Sequence, residues 1–585
     1  MANLVSPGYE RSALINNILA PNEERVIEFK GLNRRTVVEE GEMSEMTNLT
    51  ADNYPVLSPR KLRGTMSLPE GVRRPVQILS RFNRIAMIAE NTEAEVNFYY
   101  DGTKIDSVTG LTFNSRMVVI NTKVCFFPNK TYLELIKSGS NVTIGSYGSL
   151  EATQTLSAVS LTLSSEDVRM SLPTGHGFGY DDAVNIVGSV TYVPQGGSST
   201  TKAVNVSCAI EQVISGTTTD TIVLPRETFI ELTGEGATQI TITATMSRTM
   251  PDLDHVIEWN NRLWGACNQD NTIYACKLGD PKNWQYFQGT SLDSYYAQQG
   301  TDGNWTGVAG YSGHIIFFKQ NSMTRIYGTA PSNYQVANME CYGVEEGSRQ
   351  SVAVINDKVL YKSTIGIMAY DGGIPYLVSE KLNTTYKAAV AGTEGAKYYV
   401  AMQRKGGGIE LLVLDIDKAV WHKEDNTKFR NCCTADNSLY FVTYDGDILV
   451  CSPDAICSDW LLCSASTITG HVGIINPSAA TESYDDMEWM AQFGPFDEFI
   501  ENRKIYSKLS LRFKVNGPSH VRVYIALNDG EWEMVKDFDP AITEGHFIPI
   551  IPRRCDRYSV RIEGTGNCEI KSLTRRVRAG TGLKL

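Results

Sequence analysis

Hydrophobic positions in this sequence come in short runs of β-branched and aromatic residues, and the runs come in pairs joined by a polar turn. Such pairs predict β-hairpins. They occur at 84–89 with 96–100, 123–127 with 132–136, 262–267 with 272–277, and 314–318 with 324–327. Three more follow at 358–361 with 366–370, 397–402 with 409–414, and 438–443 with 447–450. The first two starts lie 39 residues apart, and from 262 onward the steps are 52, 44, 39 and 41. Hairpins recurring every 40 to 50 residues or so predict propeller blades, each hairpin being the central pair of a four-stranded blade.

One step breaks the period. From 123 to 262 the chain runs 139 residues, about 100 more than a blade needs. The excess is rich in Ser, Thr, Gly and Val, with strand-like runs at 203–210, 221–224 and 239–245. It reads as a β-domain inserted between blades, where loop ends lie close together. The last hundred residues alternate strand runs with turns such as Asn528-Asp-Gly-Glu and have the strand count of a β-sandwich. Helical spacing is confined to 11–19, closed by Pro21.

The predicted fold class is therefore all-β: a β-propeller of about seven blades with an inserted β-domain and a C-terminal β-sandwich. The segments are an N-terminal arm (1–75), the first part of the propeller (76–137), the insertion (138–250), the second part (251–465) and the sandwich (466–585). The arm alternates acidic and basic clusters, and its prolines keep it extended. Residues 26–29 are expected to supply the strand that closes the ring of blades.

Composition narrows the function. Of 585 residues, 42% are hydrophobic and 21% charged, which excludes wholesale disorder. No apolar run is long enough to span a bilayer, so no membrane insertion is expected, and the N-terminus has no secretory pattern. The net charge of −12 argues against tight sequence-independent DNA binding but suits a surface that DNA slides past. The twelve cysteines include no C-x-x-C pair, so they read as reduced structural thiols rather than zinc ligands.

Candidate chemistry is sparse. A propeller glycosidase needs two carboxylates about 5–10 Å apart. Asp252/Asp254, Asp415/Asp417 and Asp485/Asp486 are candidate pairs, read as lying on turns, where such carboxylates are usually solvated loop charges. No Ser-x-Asp-x-Gly-x-Thr-Trp box, phosphate loop or H-x-x-x-H spacing is present. The turn Tyr370-Asp-Gly-Gly has too few oxygen ligands for calcium. No catalytic residue, cofactor or metal is expected, and the chain reads as a non-enzyme. Basic residues concentrate at the C-terminus, where Arg553, Arg554, Arg557 and Arg561 precede Lys571, Arg575, Arg576 and Arg578. They suit an acidic neighbour or DNA; the alternative is a solvated sheet face.

Several stretches resemble a known family. Gly31-Leu-Asn-Arg-Arg, Gly41-Glu-Met-Ser-Glu-Met-Thr-Asn-Leu and Asn53-Tyr-Pro-Val-Leu-Ser-Pro-Arg resemble the start of bacteriophage tail-nozzle (packaged-DNA stabilisation) virion proteins. Asn260-Asn-Arg-Leu-Trp-Gly, the stretch from Tyr274 to Trp284, and Gly366-Ile-Met-Ala-Tyr-Asp-Gly-Gly are similar to the propeller of those proteins. So is Ile548-Pro-Ile-Ile-Pro-Arg-Arg-Cys-Asp near the C-terminus. The insertion carries no matching motif. The resemblance implies a structural protein of the virion tail, made in the host bacterial cytoplasm. It would form a homo-oligomeric ring, a hexamer, as a head–tail connector that retains packaged DNA and conducts it at ejection. Implied partners are other copies of the chain, portal and adaptor proteins above, tail fibre or tip proteins, and double-stranded DNA bound without sequence preference. The alternative is a tail-tip propeller that binds a receptor or glycan.

On this reading the residues expected to meet another subunit or a neighbouring protein are Arg34, Arg35, Arg60 and Arg63 in the arm, and Arg575, Arg576 and Arg578 at the C-terminus. The three C-terminal arginines are expected to point away from the DNA path.

Overall fold

The inner strands of the hairpins are buried on both faces, which is why they read as continuous apolar runs rather than alternating ones. Arg262–Cys267, His314–Lys319 and Ser438–Thr443 are buried at every position. The outermost strand of a blade is different: Gln335–Glu340 is exposed or half-exposed throughout. In the computed structural model all seven hairpins form as expected, each as the inner pair of its own antiparallel sheet. The structure describes residues 22–66, 68–164, 166–234, 236–435, 438–451, 477–478, 484–498, 503–538 and 544–579. The helical spacing at 11–19 lies outside them.

The blades are 72–104, 116–149, 255–298, 305–340, 353–377, 386–423 and 429–450. Contacts divide the chain into two compact units, one of residues 71–359 and the other holding the chain before and after it. In the first unit, successive blades pack through mixed aliphatic and aromatic cores. Phe98 of the first blade meets Phe126 of the second edge to face, 5.2 Å between centroids. Trp264 is fully buried among Trp259, Tyr295 and Tyr334. The second blade packs directly on the third: Ile120, Cys125 and Phe127 share a core with Leu263, Cys276 and Trp284. The long step in the sequence is therefore an insertion that leaves the blade order intact.

That insertion folds as two four-stranded sheets facing one core, with a short helix, Arg226–Thr233, against them. It occupies 152–248, not 138–250. The segment from 138 belongs to the second blade, because Asn141–Ser149 pairs with Thr131–Ser138 as that blade's outer strand.

In the second unit, the strand that completes the last blade is Gly64–Met66, which pairs with Ile448–Val450. The expectation for 26–29 was misplaced. Asn22–Val26 instead pairs with the C-terminal strand Tyr558–Ala579. The C-terminal region is one eight-stranded sheet built around two long strands, Lys504–Leu527 and Tyr558–Ala579. Their register breaks between Val515 and Ser519. The sheet bends there and folds back on itself, stacking Tyr506 on Tyr558 at 4.1 Å and Phe513 near Phe538 at 5.7 Å. The sandwich is thus made from a single folded sheet.

Candidate functional site: a charged clasp and a basic sheet face

The arm does not reach away from the chain. Residues 31–66 cross the last two blades and join the C-terminal sheet, and both glycines that open their motifs are required by close approach. Gly31 has φ +79°, and a Cβ there would lie 2.2 Å from Val420 Cγ1 and 2.4 Å from the Trp421 carbonyl oxygen. Gly41, at φ +88°, would meet the Glu28 carbonyl oxygen at 2.1 Å. Only glycine fits such positions without strain.

Charges lock the arm in place. Arg34 donates to Glu410 at 2.9 Å and to Glu45 at 2.8 Å, and the Tyr386 hydroxyl donates to the same Glu410 at 2.6 Å. Arg63 donates to Asp425 at 2.7 Å, to Thr427 at 2.8 Å and to Glu424. Arg60 donates to Asn48 at 2.8 Å and lies 3.5 Å from Asp425. Lys397 pairs with Asp52, and the Ala51 amide donates to His422 Nε2 at 3.1 Å.

These contacts correct three of the expected surface residues. The side chains of Arg34, Arg60 and Arg63 are at most 8% exposed and are tied to their own chain, each to at least one carboxylate more than 300 positions later in sequence. Arg35 is exposed, with its backbone amide on Asn33 Oδ1 at 3.0 Å. Arg575 is also corrected: it is fully buried, bridges Glu498 at 3.1 Å and Glu40 at 3.0 Å, and covers the Phe496 ring at 3.5 Å. Strand alternation turns Arg576 and Arg578 outward.

The clasp carries an acid sensitivity. Burial, reinforced by the Lys397 charge, pushes His422 down to about 4 from an ordinary 6.5, which keeps Nε2 unprotonated to accept from Ala51. Burial alone would raise the Glu410 carboxyl, but hydrogen bonds from Arg34 and Tyr386 and the Arg34 charge hold it at about 2, against 4.5. Both values are depressed, so the unfolded chain binds more protons, and stability falls as pH falls. The His422 contribution is complete above pH 6.5 and is lost on descending toward 4. The Glu410 contribution is lost below 4.5. Unfolding free energies from denaturant titrations between pH 7 and 4 should fall by on the order of 3 kcal/mol from His422 alone. His422→Gln should remove the part of the slope above pH 4.5; an unchanged slope there would contradict the assignment.

A second feature lies on the outward face of the C-terminal sheet. Arg25, Arg576, Lys508 and Arg512 project from three adjacent strands, with Phe547 on a fourth. With Glu23, Ser510 and Thr574 they line an open depression of about 320 Å³. Lys508 Nζ sits 3.8 Å from the Phe547 ring centroid, and Phe547 is 67% exposed. Elsewhere on the same domain several cations are paired: Arg553 with Glu533, Arg557 with Asp529, and Lys514 with Glu569 at 3.4 Å. Arg25, Arg512, Arg576 and Arg578 have no ion-pair partner among the described residues.

Three of the carboxylates singled out in the sequence are held by nearby partners. Asp252 bridges Lys130 at 2.7 Å, Asp254 accepts from the Asn268 amide at 2.7 Å, and Asp415 bridges Lys418 at 2.8 Å. Among the described residues no group of three or more His, Cys, Asp or Glu side chains could hold a metal ion. All ten described cysteines are free, and burial pushes the Cys276 thiol up to about 12. No helix among the described residues is long and apolar enough to cross a membrane.

The chain is an all-β protein with a β-propeller, defined by its own repeated sheets. No family model matches it and no curated protein matches it. Among solved structures it is similar to Hsv2 from Kluyvelomyces marxianus, at 13% identity and a TM-score of 0.25, over 35% of this chain and 64% of that one. The exo-β-1,3-galactanase of Phanerochaete chrysosporium aligns at 9% identity and a TM-score of 0.21, over 55% and 95%. Raptor from Chaetomium thermophilum aligns at 8% and 0.31, over 66% and 29%. At these scores the likenesses carry no argument about activity.

Proposed function

We propose that this chain is a structural protein of a bacteriophage tail. Copies form a ring that extends the portal channel, retains packaged DNA and passes it at ejection, without catalysis. The observation that carries the reading is the clasp. The three N-terminal motifs that resemble nozzle proteins are distant from the last blades in sequence, yet their residues Gly31, Arg34, Glu45, Asn48 and Arg60 form the ties that hold the arm to those blades. A part that must withstand packaged DNA is served by stitching its ends together, and the buried charges act as fasteners rather than as reactive groups. The similar stretch from Tyr274 to Trp284 has a matching role: Lys282 and Asn283 in it bind Asp182 and hold the insertion.

The test is imaging of particles carrying a small tag on the chain. The expected result is a closed ring of identical copies on the tail axis. Tagged spikes around the axis would overturn the reading in favour of a receptor-binding tail tip. Reversal of the exposed Arg576 and Arg578 to Glu should lower the yield of tailed particles while those that assemble keep their DNA. Arg575 is left out, because reversing it would break the sandwich itself.

A further inference from the structure

We propose that the outward face of the C-terminal sheet docks an acidic segment of a partner protein. The carboxylates of that segment would pair with Arg25, Arg512 and Arg576, and an apolar side chain would rest beside Phe547. The inference stands on the geometry of this face and does not depend on the ring reading.

Three observations carry it. First, in a chain of net charge −12, this one face gathers four cations against a single acid, Glu23. A surface left this way attracts a complementary one, and the attraction speeds encounter. Second, the cationic side of the face borders an apolar one. Phe547 and Ile551, 67% and 74% exposed, project from the strand Glu544–Cys555 with Pro549 between them. Arginine beside an exposed aromatic is the composition of protein interface cores. Third, the register sets the span. Arg25, Thr574, Ser510 and Phe547 form one row across four strands. Three strand spacings make about 14 Å, which an extended chain covers in four to five residues or so.

The same features disfavour nucleic acid. Single-stranded bases bind by stacking on aromatic rings, but Lys508 already lies over Phe547. Phosphate backbones also offer nothing to Ile551 and Pro549.

The experiment uses the full chain and a fluorescein-labelled peptide of three consecutive glutamates, three serines and a leucine. Fluorescence anisotropy at low salt should show saturable binding that weakens as salt is raised. Arg512→Glu and Arg576→Glu should each reduce affinity at least tenfold, and Phe547→Ala by about fivefold, with unchanged melting temperatures. Lys405→Glu makes the same charge change on the blade spanning 386–423 and should leave binding intact. A twelve-nucleotide single strand and a DNA duplex are tested in parallel. Absent peptide binding, equal loss in Lys405→Glu, or tighter DNA binding that depends on the same arginines would each overturn the proposal.

Discussion

Arg63→Met is expected to lower stability by about 3–5 kcal/mol, because it leaves a buried carboxylate without its partner. Arg63 is 2% exposed, and the Glu424 side chain it contacts is 6% exposed. Methionine fills most of the volume but cannot donate to Glu424, Asp425 or Thr427. The effect should be local before it is global. The strand Gly64–Met66 follows Arg63 directly, and its pairing with Ile448–Val450 completes the last blade. Hydrogen exchange should show these two segments losing protection first. Adding Glu424→Gln should recover a large part of the loss, since the charge left behind causes most of it. Unchanged exchange at 64–66 in the single variant would show that the arm is held by its backbone pairing alone.

Asp182→Ala is the second large effect, about 3–5 kcal/mol, and it acts in the other unit. Asp182 is fully buried, pairs with Arg248, lies 3.4 Å from Lys282, and accepts from Asn283 at 3.2 Å and from the Gly179 amide at 2.6 Å. Next to it, Asp181 pairs with Lys277 and accepts from the Tyr286 hydroxyl at 2.9 Å. These contacts hold the inserted domain against the loop 277–286 of the third blade. Without Asp182 the Arg248 guanidinium keeps only carbonyl partners, Leu150 and Gly177. Limited proteolysis should then cut at the two joints, near 150 and 250, and release the inserted sandwich. Asp182→Asn keeps much of the hydrogen bonding and should cost about half as much. Equal resistance of the Ala variant and the parent chain would mean that the insertion is anchored elsewhere.

The hairpins were legible because the inner pair of a blade is buried on both sides, and such strands are written as unbroken apolar runs. Outer strands were harder to read. Gln335–Glu340 and Tyr295–Gln298 are half-exposed or more and carry no strong pattern. The start of the insertion was misplaced for the same reason: Asn141–Ser149 is an exposed outer strand rich in Gly and Ser, and it reads as linker. Trp284 carries no strand of its own: it sits in a loop, packed into the core shared by the second and third blades, with its indole donating to the Pro281 carbonyl at 2.8 Å.

The arginines divide the same way. Sequence placed Arg575, Arg576 and Arg578 in one basic cluster, yet strand alternation buries the first and exposes the other two. Alternation was readable in principle, but which parity faces inward depends on the partner sheet. For Arg34, Arg60 and Arg63 nothing local could decide. A charged cluster in an extended segment is solvated unless carboxylates come to it, and those carboxylates lie on blades formed by residues 386–425.

By itself, then, the sequence determined the repeated β-hairpin, the insertion and the all-β class, because these follow from local periodicity and turn chemistry. The tertiary structure alone decided which N-terminal strand completes the last blade, which charges become internal fasteners, and which remain on an open face. Those choices rest on pairings between segments hundreds of residues apart, whose energies no local pattern records.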